Sequence, residues 1–358
     1  MRICQVLEST ATGTLAMVRL IANSLSEMGH EVHVIYSIRN DTPENIESLF
    51  FSGVKLHHLQ MNGSKLPYVI YKIRSIISEI NPDVVHFHSS YAGFIGRLSF
   101  LFSNEKAKLF YSPHCISFMR RDISQIKKVF FILLERLATL KKCTYIACSK
   151  SEKITIEKLL PVKVRLIENA VIYKTTNISL KQNRNKNKFL IVTVGGIRKQ
   201  KNPYLFSCIA RKLKDRDDID FVWIGDGNEK EKKQLVEANV IITGWLSSEE
   251  VYSYLQDADV YLSTSLWEGM PVSLIEAMYS HLPIIATGCP GNIDVISDKE
   301  TGFIINENGD CADDLIERLI ADNQLKKFIS DNAYNDVTNR FSAIRYMNNL
   351  MKAYQEHL

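Results

Sequence analysis

The chain has 358 residues, of which 46% are hydrophobic, and its formal net charge is +4. That length can bury one large core or, more commonly, two. No signal-peptide pattern precedes the first apolar run, the longest apolar stretches are too short to cross a bilayer, and the seven cysteines form no CxxC pair. Composition therefore argues against a membrane-spanning protein and a disulfide framework, and it predicts a protein of the reducing cytoplasm.

Charge is distributed unevenly along the chain. Up to Tyr173 the basic residues outnumber the acidic ones, whereas the remainder is net acidic. This asymmetry predicts two domains with different partners. The basic first part carries no recognised signature for DNA or RNA, so we expect no nucleic-acid partner. An anionic membrane surface or a phosphate-bearing acceptor fits it better.

The first half alternates short apolar runs with helical stretches, which is typical of parallel α/β layers. A helix near Leu15 to Met28 is predicted to stop at Gly29, because glycine favours the position that follows a helix. The predicted strands are Arg2 to Leu7, Glu31 to Tyr36, Val54 to Leu59, Asp83 to Phe87, Lys108 to Tyr111 and Thr144 to Ala147.

Two histidine segments end predicted strands of this first half. His86 and His88 end one strand and His114 ends the next. Histidines two apart can bind a metal, but no carboxylate partner supports that interpretation, and buried packing is the ordinary alternative. His114 is the stronger candidate for a site residue, because its strand leads toward the predicted cleft between the domains.

The segment from Ser124 to Lys142 is predicted to be a helix with an apolar stripe flanked by basic residues. Such a helix can dock on an anionic bilayer. A surface helix with a basic, solvated face explains the same composition equally well.

The second half begins after a polar stretch, 174–188, which predicts a linker. The chain then reads as two Rossmann-like domains, 1–173 and 189–341, whose ligands would bind beyond the carboxyl ends of the strands. The predicted strands of the second domain are Phe189 to Val194, Asp220 to Ile224, Val240 to Ile242, Asp259 to Ser265 and Pro283 to Ala286.

The segment Trp267 to Met278 carries the clearest functional signal. Glu268 follows an apolar strand, and Glu276 lies on the helix that Pro271 opens. Backbone N–H groups at such a junction suit an anionic ligand, and the two carboxylates suit sugar and ribose hydroxyls. The ordinary alternative is a glutamate that stabilises the helix N-terminus and a second one on a solvated face.

A second candidate loop, Gly195 to Pro203, follows the first strand of the second domain. Asn202 can cap the next helix and Pro203 can occupy its first turn. Lys201, with Arg198 or Lys199, would add positive charge where a diphosphate leaves. An ordinary charged loop is the alternative.

Together these motifs resemble the retaining glycosyltransferases of family 4, whose GT-B fold has two Rossmann-like domains that face each other across a cleft. The resemblance covers essentially the whole chain and rests on VGGIRKQKNP, IGDGNEKEKKQL, ITGWL, WEGMPVSLIEAM and ETGFIINENGD. It implies a nucleotide-sugar donor on the second domain, an acceptor on the first, and no required metal or other cofactor. It also implies that a last helix, from about residue 342 to 358, crosses back to the first domain.

The resemblance also assigns roles to individual residues. Glu268 would contact donor-sugar hydroxyls, Glu276 the ribose, and Lys201 the diphosphate, and His114 would lie near the donor sugar. The predicted catalytic residues are His114, Glu268 and Lys201. The other predicted donor-binding residues are Gly196, Arg198, Gly225, Gly244, Trp245, Gly269, Met270, Pro271, Val272 and Glu276. The predicted acceptor-binding residues are Thr12, Gly13, Thr14 and His88.

The chain departs from the family pattern at two loops. Gly196 stands where an arginine is usual, and Arg198 two residues later is the expected substitute. The first loop has Thr12, Gly13 and Thr14 in place of paired glycines, and it is not the GxGxxG turn of a dinucleotide cofactor site.

The resulting functional prediction is the transfer of a sugar, with retention, from a nucleotide-sugar (a UDP-sugar) to a hydroxyl of a lipid-linked or oligosaccharide acceptor. Its setting would be the synthesis of a capsule or O-antigen, with the protein peripheral on the inner face of the cell membrane. Two alternatives stay open: a sugar-nucleotide epimerase of the same fold, and a non-catalytic membrane-associated scaffold.

Overall fold

The computed structural model describes residues 1–61, 65–101, 103, 106–171 and 188–356, except the side chain of Thr12. Most of the predicted linker, 174–187, therefore lies outside the described residues. The chain divides into two units. Unit 1 is Met1–Ala170 together with Ala343–Leu358, and unit 2 is Val171–Ser342.

The strands and helices alternate along most of the chain. The strands are β1 (Arg2–Leu7), β2 (Glu31–Tyr36), β3 (Val54–His58), β4 (Val84–His88), β5 (Lys108–Ser112), β6 (Thr144–Ala147), β7 (Val164–Leu166), β8 (Phe189–Val194), β9 (Ile219–Ile224), β10 (Ile241–Ile242), β11 (Val260–Ser263), β12 (Ile284–Thr287) and β13 (Phe303–Ile305). The helices are α1 (Thr12–Glu27), α2 (Leu66–Ile80), α3 (Ser90–Ser99), α4 (Gln125–Ala138), α5 (Lys150–Leu159), α6 (Pro203–Lys212), α7 (Glu229–Val236), α8 (Ser248–Asp257), α9 (Val272–Tyr279), α10 (Asn292–Val295), α11 (Ala312–Ala321), α12 (Asn323–Arg340) and α13 (Ala343–Gln355). Short 3-10 turns lie at Ile46–Leu49, Ser117–Met119 and Lys199–Lys201.

Each unit is built on one parallel sheet. Within the described residues, the strands of unit 1 run in the order β3-β2-β1-β4-β5-β6-β7, and those of unit 2 in the order β10-β9-β8-β11-β12-β13. The order reverses between β1 and β4 in unit 1 and between β8 and β11 in unit 2. Such a reversal leaves a crevice at the carboxyl ends of the two central strands, which is where open α/β sheets bind ligands.

The central strands are mostly apolar because helices cover both faces of a parallel sheet. β4 is buried along its whole length. α2 buries Val69, Ile73, Ile77 and Ile80, whose spacing of three or four residues places them on one face of the helix. These residues belong to a hydrophobic cluster in which α2 packs against Val85 and Phe87 of β4.

A buried ion pair holds α3 and α4 together. Arg97 on α3 donates to the Glu135 carboxylate on α4 at 2.7 Å, and both side chains are buried. The hydroxyl of Tyr111 on β5 donates to the other Glu135 oxygen at 3.1 Å. Because an unpaired buried charge is costly, this pair fixes which side of α4 faces the core.

The structure shifts several predicted boundaries. β11 ends at Ser263, not at Ser265, and β13 and β7 were not predicted, because three-residue strands are too short to show a clear pattern. α1 begins at Thr12, earlier than predicted. The helix predicted from Ser124 to Lys142 is shorter: Ser124 caps α4 by accepting from Lys127 N, and the helix ends at Ala138.

The last helix, α13, belongs to unit 1, although it follows unit 2 in the chain. Its Tyr354 hydroxyl lies 2.7 Å from His86 Nδ1 on β4.

Among the described residues, every helix is too short or too polar to cross a lipid bilayer.

Candidate active site

The candidate site of unit 2 lies where β8 and β11 end. Lys201 is in the loop after β8 and Glu268 in the loop after β11, and Lys201 Nζ lies 2.8 Å from Glu268 Oε1. Their side chains are only 12% and 9% exposed, respectively. The strand reversal thus places two predicted catalytic residues, 67 positions apart in the sequence, in direct contact.

Hydrogen bonds join these two loops around the ion pair. Leu266 N donates to Gln200 O at 2.8 Å, and Gln200 Nε2 donates to Trp267 O at 3.0 Å. Thr264 Oγ1 donates to Lys201 O at 2.8 Å. Because both loops are held by the backbone and by side chains, the lysine and the glutamate are positioned before any ligand binds.

The two oxygens of the Glu268 carboxylate accept different numbers of hydrogen bonds. Oε1 accepts from Lys201 and, at 2.8 Å, from Ser265 Oγ, whereas Oε2 accepts from Gln200 Nε2 at 3.2 Å. A carboxylate oxygen has two acceptor positions. Oε2 therefore keeps the capacity to accept from a ligand hydroxyl. Sequence analysis did not identify Gln200 and Ser265, because neither belongs to a charged pattern.

The ion pair keeps Lys201 charged. Burial alone would lower the pKa of the Lys201 ammonium group, but the charge of Glu268 and its hydrogen bond outweigh that effect and raise this pKa above its ordinary value. An ammonium group has three N–H donors. A charged lysine with donors beyond the one that Glu268 receives is suited to an anionic ligand.

Two glycines allow this close packing. Gly195 has a φ of +147°, and a Cβ there would lie 2.8 Å from Lys201 Cε. Gly291, with a φ of +89°, follows Pro290, whose carbonyl accepts from Glu268 N at 2.9 Å. A Cβ at position 291 would lie 2.6 Å from Glu268 Cβ. Both positions favour glycine for backbone conformation, and Gly291 also requires it for space, because its neighbours are the Cβ and backbone of Glu268.

Other predicted donor-binding residues lie in the loops that follow β8, β9 and β10. A Cβ on Gly225 would lie 2.3 Å from Gly195 O, so β9 and β8 approach closely there. Gly196 is buried, and a Cβ on it would lie 3.4 Å from the ring of Trp245. Trp245 itself is 56% exposed and follows Gly244, and Arg198 is exposed.

The Glu268 loop leads into α9. Gly269, Met270 and Pro271 are buried, and the helix begins at Val272, so Pro271 is the residue before the first turn and not within it. Glu276 is half-buried and lies one turn after Val272.

The nearby Cys289 is fully buried, and burial raises the pKa of its thiol to about 12, which disfavours a nucleophilic role.

Unit 1 has a histidine network at the matching edge of its own sheet. His88, the last residue of β4, hydrogen-bonds through Nδ1 to His114 Nε2 at 3.0 Å and through Nε2 to Gln5 Oε1 at 2.7 Å. His86 lies between Tyr354 and Ser112. His88 and His114, which follow neighbouring strands, are therefore in direct contact within one hydrogen-bond network, while their predicted roles stay predictions.

These histidines are neutral. Burial lowers the pKa of His114 to about 4. Burial, together with the neighbouring imidazoles, holds the pKa values of His86 and His88 well below the ordinary 6.5. A neutral His114 can accept or donate one hydrogen bond but brings no positive charge.

The loop that carries His114 is held in an unusual conformation. His114 and Cys115 have φ values of 52° and 85°. The buried Glu152 carboxylate accepts from Cys115 N at 2.7 Å and from Ile116 N at 2.9 Å, and thereby fixes the turn. No charge or spacing pattern in the sequence identified Glu152, because its partners are backbone groups distant along the chain.

Ser89, directly after His88, is a further residue that the sequence did not indicate. Its φ is 74°, and in the described part of the chain its buried hydroxyl has no hydrogen-bond partner. Strained backbone and unsatisfied polar groups concentrate at functional sites.

Thr12, Gly13 and Thr14 form the first turn of α1, and Ala11 at the N-cap position has no side-chain acceptor for their backbone N–H groups.

The predicted catalytic residues are thus divided between the units, with Lys201 and Glu268 in unit 2 and His114 in unit 1. Among the described residues, His, Cys, Asp and Glu side chains form no cluster of three or more that could hold a metal ion.

Comparison with known proteins identifies the family of the chain. The family model described as Glycosyltransferase Family 4 matches residues 12–173, and the model described as Glycosyl transferases group 1 matches residues 174–336. The chain belongs to glycosyltransferase family 4. The predicted family and class of enzyme are therefore confirmed.

Two curated relatives are similar to this family 4 chain. An uncharacterized 41.2 kDa protein in the cps region of Klebsiella pneumoniae is 35% identical over 63% of the chain, which spans 65% of the length of that relative. The UDP-Gal:alpha-D-GlcNAc-diphosphoundecaprenol alpha-1,3-galactosyltransferase of Escherichia coli is 26% identical over 76% of the chain and 75% of its own length.

The fold is also found in solved structures. Anabaena HepE in complex with UDP-glucose matches with a TM-score of 0.82 over 99% of this chain and all of its own, at 14% sequence identity. The predicted GT-B architecture of two parallel α/β sheets is thus confirmed, while the assignment of roles to individual residues stays a prediction.

Replacing Gly291 by alanine tests the close packing of the Glu268 loop. Gly244 is the matched control, since its φ of +78° is similar but a Cβ there would have no neighbour within 4 Å. We expect Gly244→Ala to cost about 1 kcal/mol through backbone strain alone, and Gly291→Ala about 3 kcal/mol because overpacking adds to the strain. Urea denaturation measures the free energy of unfolding of both variants. Equal losses would show that the Glu268 loop moves to accommodate the added methyl group without a free-energy penalty.

The histidine network predicts a dependence of stability on pH. In the unfolded chain these rings bind a proton near pH 6.5, whereas folded His114 stays neutral down to about pH 4. The unfolded state therefore binds more protons in this window, and stability falls as the pH falls through it. We expect His114→Gln to reduce this slope by roughly one proton.

Thermal unfolding followed from neutral pH to about pH 5, above the range in which carboxylates titrate, measures that slope. The half-exposed His281 provides the control, since His281→Gln removes a histidine that lies outside the network. An unchanged slope in His114→Gln would contradict a neutral His114.

Proposed function

We propose that the chain is a retaining glycosyltransferase that moves a sugar from a UDP-sugar to a hydroxyl of a lipid-linked glycan. The observation that carries this proposal is the Lys201–Glu268 pair at the strand reversal of unit 2. A cation for phosphate and a carboxylate for hydroxyls are there held 2.8 Å apart, in the crevice where doubly wound sheets bind nucleotides.

The donor sugar would contact Glu268. Oε2 of this carboxylate has capacity for a hydroxyl donor, while Gln200, Ser265 and Lys201 fix its orientation. Glu276, one turn into α9, would bind the ribose hydroxyls. UDP as the nucleotide is supported by HepE, whose structure contains UDP-glucose.

The diphosphate would leave with its charge neutralised by Lys201. In the proposed step the bond between the anomeric carbon and the phosphate oxygen breaks, and the acceptor hydroxyl attacks the same face of the sugar. The hydroxyl proton passes to the departing phosphate oxygen, so that no protein carboxylate acts as a nucleophile. Lys201 and the N-terminus of α6 supply preorganised positive potential for the developing negative charge. The proposed reaction uses no metal ion or other cofactor.

Unit 1 would supply the acceptor site and a polar contact to the donor sugar. His114, whose pKa is lowered by the loss of solvent around it, is neutral and can hydrogen-bond a sugar hydroxyl. His88 and the first turn of α1, with Thr12, Gly13 and Thr14, would contact the acceptor.

The relatives support one class of acceptor. The E. coli relative acts on a sugar linked through a diphosphate to undecaprenol, and the Klebsiella relative is encoded in a cps region. We therefore propose a polyprenyl-diphosphate-linked glycan, elongated in capsule or O-antigen synthesis at the inner face of the cell membrane. The net basic character of residues 1–173 suits a substrate that carries phosphate.

Neutralising either member of the ion pair tests the proposed reaction. We expect Glu268→Gln and Lys201→Gln each to lower kcat by about 100-fold or more, because each removes a group that acts on charge in the transition state. The assay follows sugar transfer from a UDP-sugar to a synthetic N-acetylglucosaminyl diphosphate that carries a short prenyl chain. Lys233→Gln is the control, since its side chain is 78% exposed on α7. Wild-type kcat in Lys201→Gln would exclude the proposed role of the lysine.

A panel of nucleotide-sugars identifies the donor and tests the class of reaction. We expect one UDP-sugar to raise the thermal midpoint, because a ligand that binds only the folded state stabilises it. The product, analysed by NMR, should keep the anomeric configuration of that donor. Release of UDP only when acceptor is present would support transfer, whereas conversion of the donor without acceptor would indicate an epimerase.

A further inference from the structure

A series of hydrogen bonds runs through the core of unit 1 and ends at His114. It joins the side chains of Tyr354, Gln5, His88 and His114, and the first three are fully buried. Because buried polar groups are satisfied by one another, each of these bonds pairs one donor with one acceptor. The direction of the bonds can therefore be followed from one end to the other. It decides which nitrogen of His114 carries the proton.

The amide group of Gln5 sets this direction. Its Oε1 lies 2.7 Å from His88 Nε2, a separation that fits an N–H donor and a carbonyl acceptor, and its Nε2 donates to the Tyr354 hydroxyl at 3.5 Å. The Tyr354 hydroxyl lies 2.7 Å from His86 Nδ1, to which it can donate its own proton. The amide oxygen of Gln5 is thus held toward His88, so Nε2 is the protonated nitrogen of His88.

His88 transmits this arrangement to His114. Burial and the neighbouring imidazoles hold the pKa of His88 well below its ordinary value, so the ring is neutral and its Nδ1 has a lone pair instead of a proton. His114 Nε2, 3.0 Å away, is therefore the donor of the bond between the two rings. Because a neutral imidazole carries a single N–H group, and the pKa of His114 is about 4, His114 Nδ1 is an acceptor.

This acceptor is available to a ligand. The His114 side chain is half-buried, and among the described residues no group donates to its Nδ1. His88 holds the ring, and Glu152 holds the backbone turn that follows it. The acceptor nitrogen is thus positioned before any ligand binds.

We propose that Gln5 is a positioning residue: through His88 it fixes the proton of His114 on Nε2, so that His114 Nδ1 accepts a hydrogen bond from a sugar hydroxyl. The inference rests on the proposed function for the nature of the ligand, since a nucleotide-sugar offers hydroxyl groups that donate. It also assigns a selectivity. A ligand group that only accepts, such as a carboxylate or a fluorine, would face the lone pair of Nδ1 and be disfavoured.

Nitrogen NMR of the ligand-free chain, labelled in its histidines, tests the position of the proton directly. The two nitrogens of a neutral imidazole give separate signals because only one of them carries a proton. The chain has nine histidines, and the signals that disappear in His114→Gln belong to His114. We expect a protonated Nε2 and a bare Nδ1 in wild-type His114 at neutral pH. A proton on Nδ1 would overturn the proposal.

Gln5→Leu removes the acceptor that directs these bonds and keeps a side chain of similar size. We expect His114 to become a mixture of its two tautomers and kcat/KM for sugar transfer to fall about tenfold, the scale of one hydrogen bond between neutral groups. The matched control is Asn23→Leu. Asn23 is another buried amide of unit 1, bonded to Leu49 O and Phe51 N outside this network, so its loss should leave the tautomer unchanged.

The wild-type tautomer in a folded Gln5→Leu variant would show that another group directs the proton, and it would overturn the role of Gln5. Should Gln5→Leu fail to fold, Tyr354→Phe provides the second variant. It removes the hydroxyl that orients the Gln5 amide, so we expect a mixture of tautomers there as well.

Monodeoxy analogues of the UDP-sugar that raises the thermal midpoint connect the tautomer to the ligand. One analogue should lower kcat/KM of the wild-type chain about tenfold, and Gln5→Leu should lower it little further, because both changes remove the same hydrogen bond. Independent losses for every analogue would overturn the contact with His114. The spectrum of the ligand-free chain separates this inference from the proposed reaction: if no UDP-sugar binds, the proposed function fails while the position of the proton is still decided.

Discussion

The ion pair between Lys201 and Glu268 depends on a constraint of the sheet, namely that the strand order reverses between β8 and β11. Only at such a reversal do the loops of two neighbouring strands leave in opposite directions and open a crevice. The remaining features of the site serve this pair. Gln200 and Thr264 join the loops, Ser265 orients the carboxylate, and Gly291 makes room for its backbone.

The buried polar groups at the sheet edge are charged and paired in unit 2, and uncharged in unit 1. In unit 2, buried charges are paired, so that Lys201 stays protonated in a place where burial alone would lower its pKa. In unit 1, histidines are linked to one another and to neutral partners, so that burial keeps them uncharged. A charged site suits a diphosphate leaving group, and a neutral site suits the hydroxyl that attacks the sugar.

A second buried ion pair joins Arg97 to Glu135. This pair affects the protein surface and not the candidate active site. It fixes the rotation of α4, and the apolar residues on the far side of the helix are left in solvent. Burial of these residues within the chain would require Glu135 to leave its partner. The exposure of these apolar residues on α4 is thus a direct result of a polar contact in the core.

The sequence by itself determined the α/β class, most strands of both sheets, the family resemblance and the candidate residues Lys201, Glu268 and His114. Hydrophobic periodicity and motif spacing are local, so they can be read along the chain. Only the tertiary structure decided which residues meet. It brought Gln200 and Ser265 to Glu268, and it enclosed Glu152 beneath the His114 loop. It also showed that the apolar stripe of α4 faces outward, because an amphipathic pattern names a face but not the neighbour that covers it.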